Sequence, residues 1–252
     1  MLRIILSGCN GKMGRVITAC ADEREDCEIV AGVDVDPVML SHYPVFRSFA
    51  DVHVDADVII DFSHPSALPG LLGHLADTHL PAVIATTGFD EAQTALIRTA
   101  ALTSPVFFSF NMSLGVNLLL DLVKKAAAVL GDSFDIEIIE AHHNQKIDAP
   151  SGTALMIADA VNSALNEPCR FEYDRHSRRG KREKREIGIH AVRGGTIVGE
   201  HEVLFAGRDE LVTISHSARS KEIFAVGALE AAHFLFGKPS GLYTMSDLVA
   251  SK

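Results

Sequence analysis

Residues 2–14 read L-R-I-I-L-S-G-C-N-G-K-M-G, an apolar run of strand type that ends in three glycines spaced G-x-x-G-x-x-G. Apolar residues at helical spacing follow, and a second strand-like run, residues 28–33, ends at Asp34. A strand, a glycine turn, a helix and a second strand with an acid at its end make up one half of a dinucleotide-binding fold. The sequence therefore predicts such a fold at the start of the chain.

The glycine turn and Asp34 each have a specific use in this pattern. Glycines let the backbone approach a pyrophosphate at the start of a helix, where unpaired N–H groups and the helix dipole favour an anion. The carboxylate of Asp34 would accept hydrogen bonds from the adenosine ribose hydroxyls. The alternative interpretation is a tight strand-to-helix turn that binds no ligand.

The residue after Asp34 bears on which nicotinamide cofactor is used. A carboxylate at the adenosine ribose repels the 2′-phosphate of NADPH, and Val35 carries no charge that offsets the repulsion. Lys12 and His64, both expected near that ribose, compensate in part. We therefore predict that NADH is the preferred cofactor and that NADPH is accepted less well.

Three further apolar runs continue the pattern, at residues 58–61, 82–85 and 106–108. Each ends in a small or polar loop, as expected where parallel strands present their carboxyl ends to a ligand. A long apolar helical pattern over residues 116–130 then leads into the second half of the chain. This order predicts an α/β protein with a Rossmann-like, doubly wound parallel sheet.

The second half of the chain is richer in strands than in helices. Three strand-like segments follow one another closely, at residues 187–193, 196–205 and 210–216. Gly194 and Gly195, between the first two segments, are typical of a hairpin turn. We predict a second, α+β domain with a mixed or antiparallel sheet.

Between these halves, residues 140–154 read E-A-H-H-N-Q-K-I-D-A-P-S-G-T-A, directly ahead of a helical pattern. His142 and Lys146 can both present protons to a substrate, because the pKa values of histidine and lysine move readily on partial burial. The N–H groups of Gly152 and Thr153, expected to be unpaired at the helix start, suit a carboxylate or a phosphate. These features predict a loop that handles a proton beside a small anionic substrate.

Simpler interpretations of this region also exist. Ser151 before a helix is most often only a cap for the first turn. A metal site is disfavoured, because the side chains of His142 and His143 diverge and no Cys or carboxylate stands at a zinc-like spacing. The basic run at residues 175–185 is typical of a solvated loop, with a border to an anionic site or a neighbouring subunit as the alternative.

Composition disfavours several classes of protein. A net charge of -10 argues against general nucleic-acid binding. The four scattered cysteines form no CxxC pair and suit reduced thiols, and no apolar run has membrane-spanning length. The apolar residues 4–6 are too few for a secretory signal. A cytoplasmic protein with no membrane or nucleic-acid partner is therefore expected.

Residues 140–154 fit the pattern E-A-H-H-x-x-K-x-D-A-P-S-G-T-A, and related motifs follow the same order at residues 8–14, 61–63, 86–89, 111–117 and 187–195. In these motifs the chain resembles the 4-hydroxy-tetrahydrodipicolinate reductase (dihydrodipicolinate reductase) family of diaminopimelate and lysine biosynthesis. The resemblance implies NAD(P)H-dependent reduction of the dicarboxylate 4-hydroxy-2,3,4,5-tetrahydrodipicolinate to tetrahydrodipicolinate. Hydride adds to one carbon of the dehydrated ring, and an acid then protonates the ring.

By position, the resemblance implies that His142 is the proton donor and Lys146 its partner. It implies substrate-binding roles for His143, Lys146, Ser151, Gly152, Thr153 and Arg193. It implies cofactor-binding roles for Gly8, Asn10, Gly11, Lys12, Met13, Asp34, His64, Thr86, Thr87, Gly88, Asn111 and Met112. Two positions depart from the family pattern, with Ala85 in place of glycine and Met112 where phenylalanine is common.

The resemblance also bears on domains and assembly. Family members are commonly homotetramers built through the sheet of the second domain, with the last helix returning to the first. This implies a dinucleotide-binding domain at residues 1–113 and 221–252, and a substrate-binding and oligomerisation domain at residues 114–220. Two alternatives remain at this point: another nicotinamide-dependent dehydrogenase of similar architecture, and a non-catalytic dinucleotide sensor that needs neither His142 nor Lys146.

Overall fold

The computed structural model describes residues 1–131, 133–177 and 179–252. These residues divide into two compact units, one formed by Met1–Leu114 with Glu222–Lys252 and the other by Gly115–Lys221. Each division lies one residue from the domain boundary that the sequence implies. Within the described residues, no helix combines the length and the hydropathy that crossing a membrane requires.

The strands are short and the helices are mostly three to five turns long. The strands are β1 Leu2–Ser7, β2 Cys27–Val33, β3 Val45–Phe46, β4 Val58–Asp61, β5 Ala82–Ile84, β6 Pro105–Phe108, β7 Asp135–His142, β8 Arg170–Glu172, β9 Glu186–Arg193, β10 Gly199–Ala206, β11 Leu211–Ala218 and β12 Gly241–Tyr243. The helices are α1 Lys12–Asp22, α2 Leu68–Thr78, α3 Glu91–Ala100, α4 Leu114–Leu130, α5 Gly152–Ser163, α6 Glu222–Leu235 and α7 Met245–Ala250.

The first unit contains a seven-stranded sheet in the order β12-β6-β5-β4-β1-β2-β3, with every neighbouring pair parallel. Successive residues of a strand point to opposite sides, and nearly all residues of the central strands β1, β4 and β5 are buried, so these strands are covered on both faces. Ile4 and Leu6 of β1 pack with α1, α6 and α7, whereas Ile5 packs with α2 and α3 on the other face. The predicted Rossmann-like, doubly wound sheet is confirmed.

The strand order of this sheet creates a ligand-binding edge. From β1 the chain winds outward through β2 and β3, and from β4 it winds in the opposite direction through β5 and β6. The loops after β1 and β4 therefore diverge, which opens a crevice at the carboxyl ends of these strands. Gly8, Asp34, Phe62 and Thr86 all follow strands at this edge.

The second unit is built on a five-stranded mixed sheet in the order β11-β10-β7-β9-β8. β7 and β8 pair with β9 in parallel, whereas β10 pairs antiparallel with both β7 and β11. Helices α4 and α5 cover one face of this sheet, where Ile136, Ile138 and Val203 are fully or almost fully buried. This agrees with the predicted α+β domain with a mixed sheet.

The predicted hairpin at Gly194-Gly195 is wrong. Strands β9 and β10 do not pair with each other, because β7 lies between them. The segment that joins them crosses the end of β7, where the Gly194 N–H donates to the His142 carbonyl at 2.9 Å and the Asn144 N–H donates to the Gly195 carbonyl at 3.2 Å. Because β7 pairs with both β9 and β10, two strands that are consecutive in sequence become its two neighbours.

Two further differences concern where elements begin and end. Residues 140–142, predicted to open a loop, are instead the last residues of β7. The chain also continues after α6 into β12, which pairs with β6, and into α7. Strands of two or three residues such as β3, β8 and β12 carry too little periodicity to be recognised from sequence.

Candidate active site

The glycine turn after β1 has the geometry that an anion-binding turn needs. Gly8 has a φ of +77°, and a Cβ on it would lie 2.5 Å from the Phe62 carbonyl oxygen. Helix α1 begins at Lys12 with Gly11 at its N-cap, so no side chain caps its first N–H groups and no acid lies in its first turn. An uncapped helix start beside glycine backbone fits a pyrophosphate.

Asp34 lies beside this turn, at the end of β2. Its carboxylate accepts the backbone N–H of Asn10 at 3.0 Å and that of Asp36 at 3.2 Å. The Asn10 side chain in turn donates to the Asp36 and Val38 carbonyls. These bonds fix an anionic side chain next to the glycine turn, where a ribose would be expected.

A cavity of about 240 Å³ opens at this edge. Its lining includes the predicted residues Gly8, Gly11, Asp34 and His64. His64 also caps a short 3₁₀ turn, because its Nδ1 accepts the Ser66 N–H at 3.2 Å. Asn10 and the exposed Lys12, also predicted, belong to the turn but do not line the cavity.

Arg47 also lines this cavity, although no sequence motif singles it out. It follows β3, which pairs with β2, so the two strands deliver Arg47 and Asp34 to the same edge. A two-residue strand is not visible in a hydropathy pattern. The only available signal was a lone basic residue a short distance after the acid.

A second cavity of about 330 Å³ in the first unit is lined by residues from the loops after β4, β5 and β6. Of the residues that the resemblance places near the nicotinamide, Thr86, Thr87 and Met112 line it, whereas Gly88 and Asn111 do not. Met13, which the resemblance places at the pyrophosphate, lines it as well. Ala85, the departure from the family pattern, lines it as well.

Asp61 organises the polar side of this second cavity. The hydroxyls of Ser63 and Thr86 donate to its carboxylate at 2.6 and 2.7 Å. Burial raises the pKa of Asp61, although these hydroxyl groups oppose the shift. Asp61 therefore holds the Thr86 side chain in place, although Asp61 does not itself line the cavity.

In the second unit, the end of β7 carries a buried Glu–His pair. The carboxylate of Glu140 is fully buried and lies 2.6 Å from His142 Nδ1. Arg193, on the neighbouring β9, donates to both carboxylate oxygens at 2.7 and 2.8 Å, and the Ser151 N–H donates at 2.9 Å. Burial alone would raise the pKa of Glu140, but the hydrogen bonds from Arg193, His142 and Ser151 hold that pKa below its ordinary value.

This arrangement determines which ring nitrogen of His142 is available. An ionised Glu140 accepts a hydrogen bond, so it keeps the proton on Nδ1 and leaves Nε2 for another partner. Gly199 on β10 lies beside Nε2, and a Cβ there would lie 3.1 Å from it. The absence of a side chain at Gly199 thus leaves Nε2 unobstructed on that side.

The remaining predicted residues surround the start of α5. Ser151 caps the helix by accepting the Ala154 N–H at 3.2 Å, as the simple interpretation expected, and it also holds Glu140. The Lys146 N–H donates to the His143 carbonyl at 3.1 Å, so Lys146 is the last residue of a tight turn. Its Nζ lies 2.9 Å from the carboxylate of Asp148.

The expectation of an unpaired N–H on Gly152 needs correction. The Lys146 ammonium and, to a lesser extent, the Gly152 N–H stabilise the Asp148 carboxylate and lower its pKa. Thr153 also has an interaction partner. The anion-binding groups at the helix start therefore hold a carboxylate of the chain itself.

His201 on β10 was not predicted, yet it belongs to this cluster. Its ring packs edge-on against His142, with centroids 5.2 Å apart, and its Nε2 lies 3.3 Å from the Ser151 hydroxyl. Burial, followed by the nearby His142, lowers the pKa of His201 to about 4. Strand alternation was the available signal, because it places His201 on the same face as the buried Val203.

Two arginines of the basic run at residues 175–185 pair with carboxylates of the second unit. Arg175 and Arg182 donate to Glu137 on β7, and Arg175 also pairs with the buried Glu186. Arg178 lies outside the described residues. Among the described residues, no group of three or more His, Cys, Asp or Glu side chains is arranged to hold a metal ion.

Comparison with known proteins covers both units. The family model of the dihydrodipicolinate reductase N-terminus matches residues 2–112, and that of the C-terminus matches residues 115–249. The 4-hydroxy-tetrahydrodipicolinate reductase of Caldanaerobacter subterraneus subsp. tengcongensis is 54% identical over 99% of this chain and 98% of its own length. That of Clostridium novyi is 48% identical over the full length of both proteins.

Solved structures agree with these relatives. Dipicolinate-bound dihydrodipicolinate reductase from Paenisporosarcina sp. TG-14 is 26% identical, covers 97% of each chain and superposes with a TM-score of 0.79. Diaminopimelate (DAP) dehydrogenase of C. glutamicum, at 15% identity and a TM-score of 0.60, shares the fold. The chain is an oxidoreductase, and it belongs to the 4-hydroxy-tetrahydrodipicolinate reductase (dihydrodipicolinate reductase) family of diaminopimelate and lysine biosynthesis.

Proposed function

We propose that the chain reduces 4-hydroxy-2,3,4,5-tetrahydrodipicolinate with a nicotinamide cofactor, and that His142 supplies the proton. The observation that carries this proposal is the buried Glu140–His142 pair at the end of β7, next to the start of α5. A histidine whose Nδ1 is held by a carboxylate has its Nε2 directed at one place, as a general acid requires.

The reaction divides between hydride and proton. When bound, the nicotinamide supplies the hydride to one carbon of the dehydrated ring. His142 Nε2 then donates a proton to the ring, and Glu140 stabilises the imidazolium before transfer because it stays ionised. Arg193 was expected to bind substrate, but both of its terminal nitrogens donate to Glu140, so we assign it the role of keeping Glu140 charged.

The two carboxylates of the substrate need cationic and N–H partners. We assign one of them to Lys146 and to the N–H groups of Gly152 and Thr153, with His143 beside them. In the structure Asp148 pairs with Lys146, and the Gly152 N–H helps to stabilise its carboxylate. A substrate carboxylate would therefore replace Asp148 on the same groups, and the helix dipole would favour it.

Among cofactors, we propose a preference for NADH of about tenfold or more in kcat/KM, a tenfold ratio being equivalent to ~1.4 kcal/mol. Asp34 supports it, since a fixed carboxylate accepts both ribose hydroxyls and repels a 2′-phosphate. Val35, with 82% of its surface exposed, has no charge to offset that repulsion. Gly8, Gly11 and the start of α1 would hold the pyrophosphate, and the second cavity would take the nicotinamide.

We further propose a cytoplasmic homotetramer. The four cysteines are free thiols, as a reducing compartment favours. The sheet face of the second unit opposite α4 and α5 exposes apolar side chains, with Val192 49% and Leu211 60% exposed. Such a face suits contact with other copies of the chain.

The proposal is tested by following NADH absorbance with substrate prepared immediately before use. Pyridine-2,6-dicarboxylate should inhibit competitively against the substrate, because both of its carboxylates find partners. Pyridine-2-carboxylate should bind about tenfold or more weakly, since one charge-assisted contact is missing. No NADH or NADPH consumption, or equal inhibition by the two compounds, would contradict the proposal.

A further inference from the structure

Arg47 is the lateral neighbour of Asp34 at the edge of the first sheet. Val33 on β2 lies opposite Phe46 on β3, and the Asp34 N–H donates to the Phe46 carbonyl at 3.0 Å. Arg47 is the next residue, directly after the end of β3. Adjacent strands are about 4.8 Å apart, so the long Arg47 side chain starts within reach of any group bound at Asp34.

The guanidinium of Arg47 is not used by the fold. Arg47 is exposed, and it forms no hydrogen bond or ion pair with the residues that the structure describes. The nearby Asp34 carboxylate is instead held by the backbone N–H groups of Asn10 and Asp36. Both Arg47 and Asp34 line the same cavity of about 240 Å³, together with the exposed Val35.

We propose that Arg47 binds the 2′-phosphate of NADPH and so allows the chain to use both nicotinamide cofactors. This inference rests on the proposed function, which places the adenosine ribose at Asp34. A guanidinium presents a planar fork of N–H donors that matches the oxygens of a phosphate. Its positive charge offsets part of the repulsion between Asp34 and the 2′-phosphate.

The competing role for Arg47 is to stack on the adenine ring or to contact the pyrophosphate. Either contact is common to NADH and NADPH, so its loss would weaken both cofactors equally. Selectivity for the 2′-phosphate therefore distinguishes the proposal from a general contact.

Nucleotide binding without substrate gives the direct test. Titration calorimetry with 2′,5′-ADP and with 5′-AMP is carried out on the wild type, on Arg47→Gln and on Arg98→Gln. Arg98 is an exposed arginine in the last turn of α3 and serves as the matched control, because that end of the helix leads to the amino end of β6.

Arg47→Gln should raise the dissociation constant of 2′,5′-ADP about tenfold, the effect of losing one charge-assisted contact. Binding of 5′-AMP should change less than twofold, and Arg98→Gln should change neither. The titrations are repeated at about 20 and about 300 mM NaCl, on either side of about 100 mM. The higher salt should lower the affinity for 2′,5′-ADP more in the wild type than in Arg47→Gln, because salt screens the interaction between the guanidinium and the phosphate. Steady-state kinetics should show the same selective loss for NADPH, and adding Val35→Arg to Arg47→Gln should recover part of it.

Two results would overturn the inference: an equal loss for both nucleotides, or no loss for 2′,5′-ADP. Failure of the wild type to bind either nucleotide would instead overturn the proposed function together with this inference. The outcomes are therefore distinguishable in one series of titrations.

Discussion

Replacing His201 with glutamine should change how the stability of the protein depends on pH. His201 is 5% exposed, and its Nδ1 is buried without a hydrogen-bond partner among the described residues. Glutamine does not titrate, yet its amide can still reach toward the Ser151 hydroxyl that His201 Nε2 contacts at 3.3 Å. The variant therefore removes the proton-binding group while it retains a polar side chain.

The expected size follows from the pKa of His201, which is about 4 in the folded protein against 6.5 as the ordinary value. Burial lowers this pKa, so the unfolded chain binds the proton more readily than the folded one. The stability that neutral His201 preserves is present above pH 6.5 and is lost as the pH falls toward 4. The full difference is worth about 3 kcal/mol, of which about 2 kcal/mol is lost between pH 7 and pH 5.

Urea unfolding at fixed protein concentration, at pH 7, 6 and 5, measures this difference. The wild type should lose about 2 kcal/mol more than His201→Gln between pH 7 and pH 5. The exposed His53, changed to glutamine, is the matched control and should follow the wild type. Parallel pH dependence in the wild type and His201→Gln would refute the assignment of a buried, neutral His201.

Other predictions concern the surroundings of His142. Glu140→Gln should lower kcat about 100-fold with little change in KM, and an unchanged kcat would remove Glu140 from the mechanism. The same substitution should lower the free energy of unfolding by about 3 kcal/mol, because Arg193 loses its buried charged partner. Gly199→Ala should lower kcat about tenfold, because the added Cβ would lie 3.1 Å from His142 Nε2. A kcat equal to that of the wild type would show that the space beside Nε2 is not needed for turnover. Asp148→Asn should tighten pyridine-2,6-dicarboxylate several-fold by removing a competing carboxylate, whereas weaker binding would show that Asp148 supports the site.

The first unit was predictable because its signals are local and repeated. The glycine turn at residues 8–14 and Asp34 define one βαβ unit, and parallel strands joined by helices leave few alternatives for the rest of the sheet. The second unit was less predictable. Strand periodicity identifies β9 and β10, but it does not show that β7 lies between them, because that order depends on contacts distant in sequence.

The same distinction applies to the candidate site. The signature at residues 140–154 identified His142 and Lys146 directly. The partners that give His142 its orientation come from other strands, with Arg193 on β9 and His201 on β10, so only the sheet register brings them together. Arg47 was missed for the same reason, since its strand pairing places it beside Asp34.

The central claim, that His142 is the proton donor in this reduction, is tested most directly by steady-state kinetics of His142→Gln. The substrate is 4-hydroxy-2,3,4,5-tetrahydrodipicolinate, and cofactor loss is followed by absorbance. Loss of a general acid should lower kcat by a factor of ~10²–10⁴ while KM changes little. A kcat near that of the wild type would contradict the claim and would place the proton donor elsewhere in the site.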